Sequence, residues 1–298
     1  MKKPALTGSS IVLTLPNMII PNKFKNENEY FADSEFISHS QLKQFKQCEW
    51  LYKLKHVDDA LPTESHDYFD FGHAVDCLVT EPEGNFDDRF DVVARRNKDR
   101  DDGKIELTKA QHRDILECVT EFNRQPIFSM FGFRTQSNCQ EIICAEIDGV
   151  KRKGKLDYLR VIEKDGRKLG IIVDVKTNRS LTYFKPEVYA TQLAWYRDLA
   201  LAKYPDVDSW DCYLAVVDKV SGPKRSELFL ADQGTIGEAA RQNDLALDKY
   251  LEAKALGVYT PITEKTARPG GNPRNEVCYE CPAYSTCEFS IQKTVSVF

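Results

Sequence analysis

The dipeptide Asp165-Gly166, set between two runs of strand-forming residues, constrains the fold of this chain more than any other feature. Both central positions of a tight hairpin turn need positive φ, which Asp and Gly tolerate, so the pattern predicts an antiparallel hairpin. A two-residue turn also fixes the register of the two strands. In that register Asp157 faces Asp174, with Cβ atoms about 4.5–5.5 Å apart.

A lysine accompanies the two facing carboxylates. Lys176 lies two residues after Asp174 and therefore on the same face of its strand. Like charges directly opposite each other destabilise a sheet unless something uses them, and a divalent cation bound by carboxylate oxygens is such a use. The alternative is a hairpin with ordinary charges on a solvent-exposed face, which the spacing by itself leaves open.

The residues before Asp174 favour the metal site. Residues 169–173 are nearly all apolar, which is typical of a strand covered on both faces. A carboxylate at the end of such a strand is costly unless it is paired or bound to a metal. A cation held by Asp157 and Asp174 activates water and neutralises charge, and Lys176 beside it stabilises a transition state. These groups suit the hydrolysis of phosphodiester bonds with Mg²⁺ or Mn²⁺.

The order of these residues resembles that in a known superfamily. Gly154-x-x-Asp157, followed on the next strand by Asp174-x-Lys176, is similar to the PD-(D/E)xK nucleases. The resemblance is closest to their RecB-like branch, which includes exonuclease VIII of the RecE type, the helicase–nuclease subunit AddB and iron–sulfur CRISPR-associated nucleases. It implies that Asp157 and Asp174 bind the metal and that Lys176 positions the attacking water.

The RecB-like branch also carries a Gln-x-x-x-Tyr motif on the following helix. Gln192 and Tyr196 have this spacing and share one face of a predicted helix. The resemblance implies that both residues support the catalytic site or touch the DNA strand. Ordinary packing on an amphipathic helix is the alternative for the pair taken alone.

A third metal ligand is expected from an upstream helix. The branch has a Gly-x-Ala-x-His pattern there, in which the histidine is a metal ligand. In this chain the pattern starts at Gly72, and Asp76 takes the place of the histidine. A carboxylate suits Mg²⁺ or Mn²⁺, so Asp76 is the preferred third ligand. His73, three residues earlier on nearly the same face, is the second candidate.

Glu141 is a further acidic candidate for the site. Pairing about the turn Asp148-Gly149 sets Glu141 opposite Leu156, which is the wrong face for Asp157. A one-residue bulge in the strand would bring Glu141 to the correct face.

Three of the nine cysteines cluster near the C-terminus, at Cys278, Cys281 and Cys287. Their spacing, in a segment rich in Pro, Gly and Asn, indicates metal ligation. The leading fourth ligand is Cys48, on an inward-facing stripe of a helix predicted over 38–56. For Cys48 alone, a buried core thiol is the alternative.

The arrangement of one early and three late cysteines resembles the iron–sulfur staple of AddB-type nucleases. It implies a [4Fe–4S] cluster held by Cys48, Cys278, Cys281 and Cys287. Such a cluster closes nearly the whole domain into one loop, which stabilises the fold. Structural Zn²⁺ in a four-cysteine site is the chemical alternative.

Composition and charge set outer limits on the class of protein. The hydrophobic content of 42% suffices for a core. No run of 18 apolar residues occurs, so no membrane span is expected. We expect a cytoplasmic protein of a bacterium or phage, because free thiols suit a reducing compartment and the N-terminus does not resemble a signal peptide. The net charge of −5 argues against a DNA-coating protein, but the basic run 151–155 offers a local path for DNA.

We predict an α/β fold with a PD-(D/E)xK restriction-endonuclease-like core, in which helices flank a mixed central sheet, and a C-terminal cysteine-rich staple. Residues 1–35 are predicted to be irregular and 36–298 to form a single nuclease domain. That domain divides into a helical part (36–135), a catalytic core (136–256) and a cysteine-rich tail (257–298). The predicted elements are helices at 38–56, 67–80, 108–125, from after Pro186 to 203 and at 233–256; strands at 140–147, 150–163, 168–176, 211–219 and 226–231; and a loop at 81–107.

The resemblance implies a metal-dependent DNA exonuclease of RecE-type or phage-type recombination, because the chain carries no helicase motif of the Gly-x-x-x-x-Gly-Lys type. Such enzymes degrade DNA from an end and work with a single-strand annealing protein. One alternative is a CRISPR-adaptation-type nuclease that trims single-stranded ends. Another is a non-catalytic DNA-binding module that keeps the fold, against which the intact Asp157, Asp174 and Lys176 argue.

Overall fold

The computed structural model describes residues 17–24, 27–61, 67–81, 85–96, 103–126, 139–219 and 222–261. The strands are β1 Met18–Ile20, β2 Ile37–Ser38, β3 Phe90–Val93, β4 Ile105–Thr108, β5 Cys139–Ile147, β6 Val150–Lys164, β7 Arg167–Asn178, β8 Ser209–Asp218 and β9 Ser226–Ala231. The helices are α1 Glu27–Ala32, α2 His39–Gln47, α3 Glu49–His56, α4 Asp67–Thr80, α5 Asn85–Arg89, α6 Lys109–Arg124, α7 Ala190–Lys203 and α8 Gln233–Leu256. Short 3₁₀ turns at Leu181–Tyr183 and Pro186–Tyr189 lead from β7 into α7.

A mixed sheet forms the centre of the described structure. Its strands lie in the order β1-β5-β6-β7-β8-β9, and β2 pairs with β6 beside this row. Neighbours in the row are antiparallel except β7 and β8, which are parallel and are connected through α7. The predicted α/β core with a mixed central sheet flanked by helices is confirmed.

Apolar side chains cover both faces of this sheet. On one face α2, α7 and α8 pack through residues such as Phe45, Trp195 and Leu247. On the other face α4 and α6 pack through residues such as Val75 and Phe122. Strands covered on both faces must be apolar throughout, which explains why a charged residue in them stands out.

The central hairpin has the predicted register. Asp165 and Gly166 both have positive φ, at 53° and 72°, as a tight hairpin turn requires. The ladder between β6 and β7 runs from this turn to the pair Tyr158–Val173. Beyond that pair β7 continues along β8 as far as Asn178 and no longer pairs with β6.

A gap opens in the sheet where β6 and β7 separate. Arg152 and Lys153 of β6 pair with β5 and also with the short parallel strand β2. Since a strand has only two edges, β2 occupies the edge that β7 has left. Residues 154–157 of β6 lie between these two neighbours and face an opening.

The N-terminal segment and the 81–107 segment contain elements that were not predicted. Within 1–35, β1 adds to the sheet next to β5, and α1 precedes β2. In the second segment, α5 leads into β3, and β3 pairs with β4 as a small parallel two-stranded sheet. These elements are short, so they give too few periods of hydrophobic pattern to be read from sequence.

The predicted helix 38–56 is in fact two helices that meet at Cys48. This residue has extended backbone angles, with φ −162° and ψ 110°, and is both the C-cap of α2 and the N-cap of α3. Its Sγ accepts the Leu51 N–H at 3.4 Å, which compensates for the break. The prediction that Cys48 lies on a continuous inward-facing stripe is therefore wrong. Cys48 lies half-buried at the corner between the two helices.

The remaining helices and strands lie close to their predicted positions. Helices α4 and α8 have the predicted bounds of 67–80 and 233–256. No helix within the described ranges is long and apolar enough to cross a membrane. Most of the predicted cysteine-rich tail, from 262 onwards, lies outside the described residues, and the proposed division of the chain at 35 and 36 stays a prediction.

Candidate active site

Asp157 and Asp174 lie together at the gap in the sheet. They occupy the positions that follow the last ladder pair of β6 and β7, and their carboxyl groups are within hydrogen-bonding reach of each other. Asp157 Oδ2 accepts the Val175 N–H at 2.7 Å. Asp174 is 1% exposed. The predicted pair of facing carboxylates therefore has the expected placement.

Burial shapes the protonation of both carboxyl groups. It raises the pKa of Asp174 to about 7, with the charge of Asp157 adding to the rise and that of Lys176 opposing it. Burial also raises the pKa of Asp157, against the opposing effects of Lys176 and the Val175 N–H. Two acidic groups so close together favour sharing one proton over ionising together.

Lys176 places a positive charge beside the two carboxylates. Its Nζ forms an ion pair with Asp174 Oδ2 and lies 3.4 Å from the carbonyl oxygen of Val175. It also lies 5.5 Å from the centre of the Tyr189 ring. Burial lowers the pKa of this ammonium, but the charges of Asp174 and Asp157 outweigh it, so the net shift is upward. Lys176 is therefore charged when it faces Asp174.

Gln192 and Tyr196 extend the site from α7. Gln192 Nε2 donates to Asp174 Oδ1 at 3.0 Å and to Tyr196 Oη at 2.8 Å. The sheet approaches this helix closely at Gly154, where an added Cβ would lie 2.6 Å from Leu199 Cδ1. A side chain at Gly154 would displace the Leu199 and Tyr196 side chains, so the glycine permits this close packing of α7 on β6.

Asp76 approaches the gap from α4, on the opposite side of the sheet. Its carboxylate accepts hydrogen bonds from Gln140 Nε2, at 3.3 and 3.2 Å, and from Thr80 Oγ1 at 3.2 Å. Burial, together with the nearby charge of Asp157, raises the pKa of Asp76 to about 8. His73, the second candidate for this role, has an exposed side chain.

Glu141 lies away from the cluster. It pairs with Leu156, and Cys139 pairs with Tyr158 in the same register, so the bulge that would have redirected Glu141 is not there. Its carboxylate forms an ion pair with Lys203 of α7. The geometry brings Asp76, Asp157 and Asp174 into one region and leaves Glu141 outside it.

The residue between Cys139 and Glu141 has an unexpected role. Gln140 has φ 53°, a left-handed conformation that is uncommon for a residue other than glycine. This conformation lets its side chain reach Asp76 and Thr80, with 2.5 Å between Gln140 Nε2 and Thr80 Oγ1. Nothing in the sequence signals a positive φ at a glutamine, so sequence reasoning missed both Gln140 and Thr80.

The side chains at the gap suit a hard divalent cation. Among the described residues no three His, Cys, Asp or Glu side chains already converge as a metal cluster. Two buried oxygens at the gap, however, make no hydrogen bond: Asp174 Oδ2, which has only its ion pair with Lys176, and Gln140 Oε1. Carboxylate and amide oxygens are ligands that Mg²⁺ and Mn²⁺ accept, so the donor set fits such an ion.

Cys48 lies at a separate place, beside the start of the C-terminal tail. Together with Phe45, Leu245 and Pro261 it lines a cavity of about 400 Å³. Glu49 Oε2 accepts hydrogen bonds from both Thr260 N at 2.8 Å and Thr260 Oγ1 at 2.6 Å, which fixes the chain next to Cys48. The three other predicted cluster ligands, Cys278, Cys281 and Cys287, lie outside the described residues.

Comparison with known proteins gives a match across most of the chain. A family model described as the PD-(D/E)XK nuclease superfamily matches residues 37–288. A crystal structure named "Putative exonuclease", from Eubacterium rectale, has a TM-score of 0.61 and 19% identity, covering 88% of this chain and 99% of that chain. At that identity the likeness shows a shared fold.

Two further comparisons add little. The crystal structure of SSO0001 covers 89% of this chain and 92% of its own, at 15% identity, but its TM-score of 0.37 is too low to bear on the fold. No curated protein matches the chain.

Proposed function

The chain belongs to the PD-(D/E)XK nuclease superfamily, and from this premise we propose that it is a Mg²⁺- or Mn²⁺-dependent deoxyribonuclease that degrades DNA from its ends. One observation carries the proposal: Asp157, Asp174 and Lys176 meet where two strands separate, with Gln192 hydrogen-bonded to Asp174. Burying two carboxyl groups and an ammonium group costs free energy, and such clusters of buried charge occur preferentially at functional sites.

Three carboxylates would hold the cation. Asp157 and Asp174 face each other across the gap, and Asp76 reaches it from α4. The chemistry that a divalent cation supplies here is polarisation of a phosphoryl oxygen and a lower pKa of bound water. Gln140, with its unpaired Oε1, holds Asp76 in place.

The other residues of the site orient the attacking water and the metal-binding carboxylate. Lys176 directs its ammonium group toward the reaction region, where it orients the attacking water and offsets negative charge on the phosphodiester. Gln192 fixes the rotation of the Asp174 carboxylate, and Tyr196 in turn fixes Gln192. A carboxylate restrained in this way binds a metal in one orientation.

We assign the chain to the RecE-type branch, working in phage-type or RecE-type recombination with a single-strand annealing protein as partner. The order of the motifs supports this: Asp76 on an upstream helix, Asp157 and Asp174 on adjacent strands, and then Gln192 and Tyr196 on the helix that follows.

A [4Fe–4S] cluster at Cys48, Cys278, Cys281 and Cys287 is part of the proposal. The support is the location of Cys48: it lies at a helix break, and the hydrogen bonds between Thr260 and Glu49 lead the tail to its side. Hydrolysis needs no electron transfer, so the cluster has a structural role.

The test compares four DNA forms with Mg²⁺: an end-labelled linear duplex, a nicked circle, a covalently closed circle and a single strand. Release of labelled nucleotides from linear DNA, with closed circles left intact, is the expected result. Asp174→Asn should abolish this activity, whereas Glu141→Gln should retain it because Glu141 pairs with Lys203 away from the gap. Undiminished hydrolysis by Asp174→Asn would refute the assigned site, and cleavage of closed circles would refute the exonuclease assignment.

A further inference from the structure

The loop between β7 and α7 presents an aromatic ring to solvent beside the proposed active site. Tyr183 is 82% exposed, the highest value among the large apolar side chains of the described residues. A side chain of this size is rarely left so exposed without a partner, although a single exposed residue is not by itself a site. The surroundings of Tyr183 therefore decide what it does.

The backbone of this loop is held in place. Ser180 caps a 3₁₀ turn, with its carbonyl oxygen accepting from Tyr183 N at 3.3 Å and its Oγ accepting from Thr182 N at 3.3 Å. The next residue, Phe184, is buried, and its ring stacks on that of Tyr189 at 5.5 Å. Tyr183 thus projects outward from a fixed turn.

Ring contacts connect this turn to the site. Lys176 Nζ lies 5.5 Å from the Tyr189 ring, on which Phe184 stacks. Tyr183 is the chain neighbour of Phe184, so the turn that carries its ring is connected to Lys176 through these two ring contacts.

Positive charges flank the exposed ring. Arg179 and Lys185, on either side of Tyr183 in the loop, are both exposed, and Glu187 is the exposed acid of the loop. Basic side chains around an aromatic ring are the combination that binds single-stranded nucleic acid.

An exposed aromatic ring distinguishes unpaired from paired bases by stacking. In a duplex each base is already stacked between its neighbours, so an exposed ring gains little from it. An unpaired base has a free π-face, and stacking on it is sequence-tolerant because every base has such a face. We propose that Tyr183 stacks an unpaired base of the strand bound at Asp174 and Lys176, so that the substrate is a single strand or a frayed end. This inference rests on the proposed nuclease function.

The test measures binding by the full-length protein without hydrolysis. Fluorescein-labelled oligothymidine and a blunt duplex of equal length are titrated in EDTA. Tyr183→Ala should weaken binding of the single strand about 5- to 140-fold, the range expected for one stacked base. Tyr183→Trp should retain the affinity because it keeps an aromatic face. Val188→Ala, on the same loop and 54% exposed, is the matched control and should leave binding unchanged.

Abasic sites in the oligonucleotide separate stacking from other contacts. Moved along the strand, an abasic site should weaken binding by the natural protein at one position and have no further effect on Tyr183→Ala there. Equal affinities of Tyr183→Ala and the natural protein would overturn the inference, as would a loss that no abasic position reproduces.

The same variants distinguish this inference from the nuclease proposal. If Tyr183→Ala weakens strand binding but no DNA is hydrolysed with any divalent metal, the nuclease function fails and the stacking role stands. If hydrolysis depends on Asp174 but Tyr183→Ala binds normally, only the stacking role fails.

Discussion

Asp157 Oδ2 accepts the backbone N–H of Val175 at 2.7 Å, at the point where β6 and β7 separate. The Asp157 side chain thus accepts a hydrogen bond from an N–H group that has no partner in the β6–β7 ladder. The strands can therefore part without leaving that donor unpaired. The carboxylate that permits the opening also faces Asp174 across it, so one residue both shapes the gap and supplies charge to it.

Substitutions of Asp157 should separate these two roles. Asp157→Asn keeps an oxygen that can accept the Val175 N–H but removes the charge, so we expect a folded protein without metal-dependent hydrolysis. Asp157→Ala leaves the N–H unsatisfied and should lower the free energy of unfolding by about 1–3 kcal/mol. Urea denaturation and a nuclease assay on both variants measure the difference. Equal loss of stability in both would contradict the structural role of the oxygen.

The contribution of Asp76 to the stability of the metal-free protein should fall as pH rises. The pKa of Asp76 is about 8 in the folded protein and 3.8 for the ordinary group, so between these values the folded state holds a proton that the unfolded state has released. The folded state is then disfavoured increasingly up to about pH 8. Asp174, with a pKa raised to about 7, acts in the same direction.

Asp76→Asn tests this dependence. The neutral amide cannot ionise, so above pH 8 the metal-free variant should exceed the natural protein in unfolding free energy by about 1–3 kcal/mol. Added Mg²⁺ should stabilise the natural protein more at pH 8 than at pH 6, because its ligands must lose protons. Glu141→Gln is the control and should keep the natural slope. A variant with the same pH slope as the natural protein would refute the role of Asp76.

The hairpin was predictable because its determinants are local. Asp165 and Gly166 set the turn, the turn sets the register, and the register places Asp157 against Asp174. By contrast, β2 has only two residues and pairs with β6 over a long sequence separation, so no periodicity reveals it. The gap at which the two aspartates lie depends on β2 and was therefore not predicted.

The break at Cys48 was hidden for a different reason. Leu42 and Phe45 before the break and Tyr52 after it all face the same core, and the rings of Phe45 and Tyr52 lie 5.6 Å apart. The hydrophobic spacing thus continues across the break as it would in one helix. Gln140 is similar, because its positive φ follows from tertiary contacts with Asp76 and leaves no mark on the sequence.

Removal of the Lys176 ammonium should affect turnover more than folding. Lys176→Ala is expected to lower kcat about 10²–10³-fold, the usual loss when one group that stabilises charge is removed. Lys176→Arg keeps the positive charge and should recover part of the rate. Single-turnover cleavage of end-labelled DNA, with thermal unfolding as the check on folding, measures both. Natural turnover in Lys176→Ala would exclude a role in the reaction.

Gln192 should act as a positioning residue for Asp174. Gln192→Ala removes the donor to Asp174 Oδ1, and we expect metal affinity to fall about 10- to 100-fold. Tyr196→Phe removes only the partner of Gln192 and should have a smaller effect. Isothermal titration with Mn²⁺ measures the affinity. Leu201→Ala, at an exposed position of α7, is the control, and an equal loss in that variant would point to general damage to the helix.

Iron content tests the role of Cys48. Anaerobically purified protein should be brown and contain about four iron atoms per chain, as a [4Fe–4S] cluster requires. Cys48→Ala should lose the iron and unfold more readily, because the link between the helix break and the tail is gone. Cys139→Ala, at the other half-buried cysteine of the described residues, should keep the iron. A colourless protein with one Zn²⁺ per chain would reject the cluster but keep the link. Retention of all metal by Cys48→Ala would reject the link as well, since the tail would then bind its metal without the helix break.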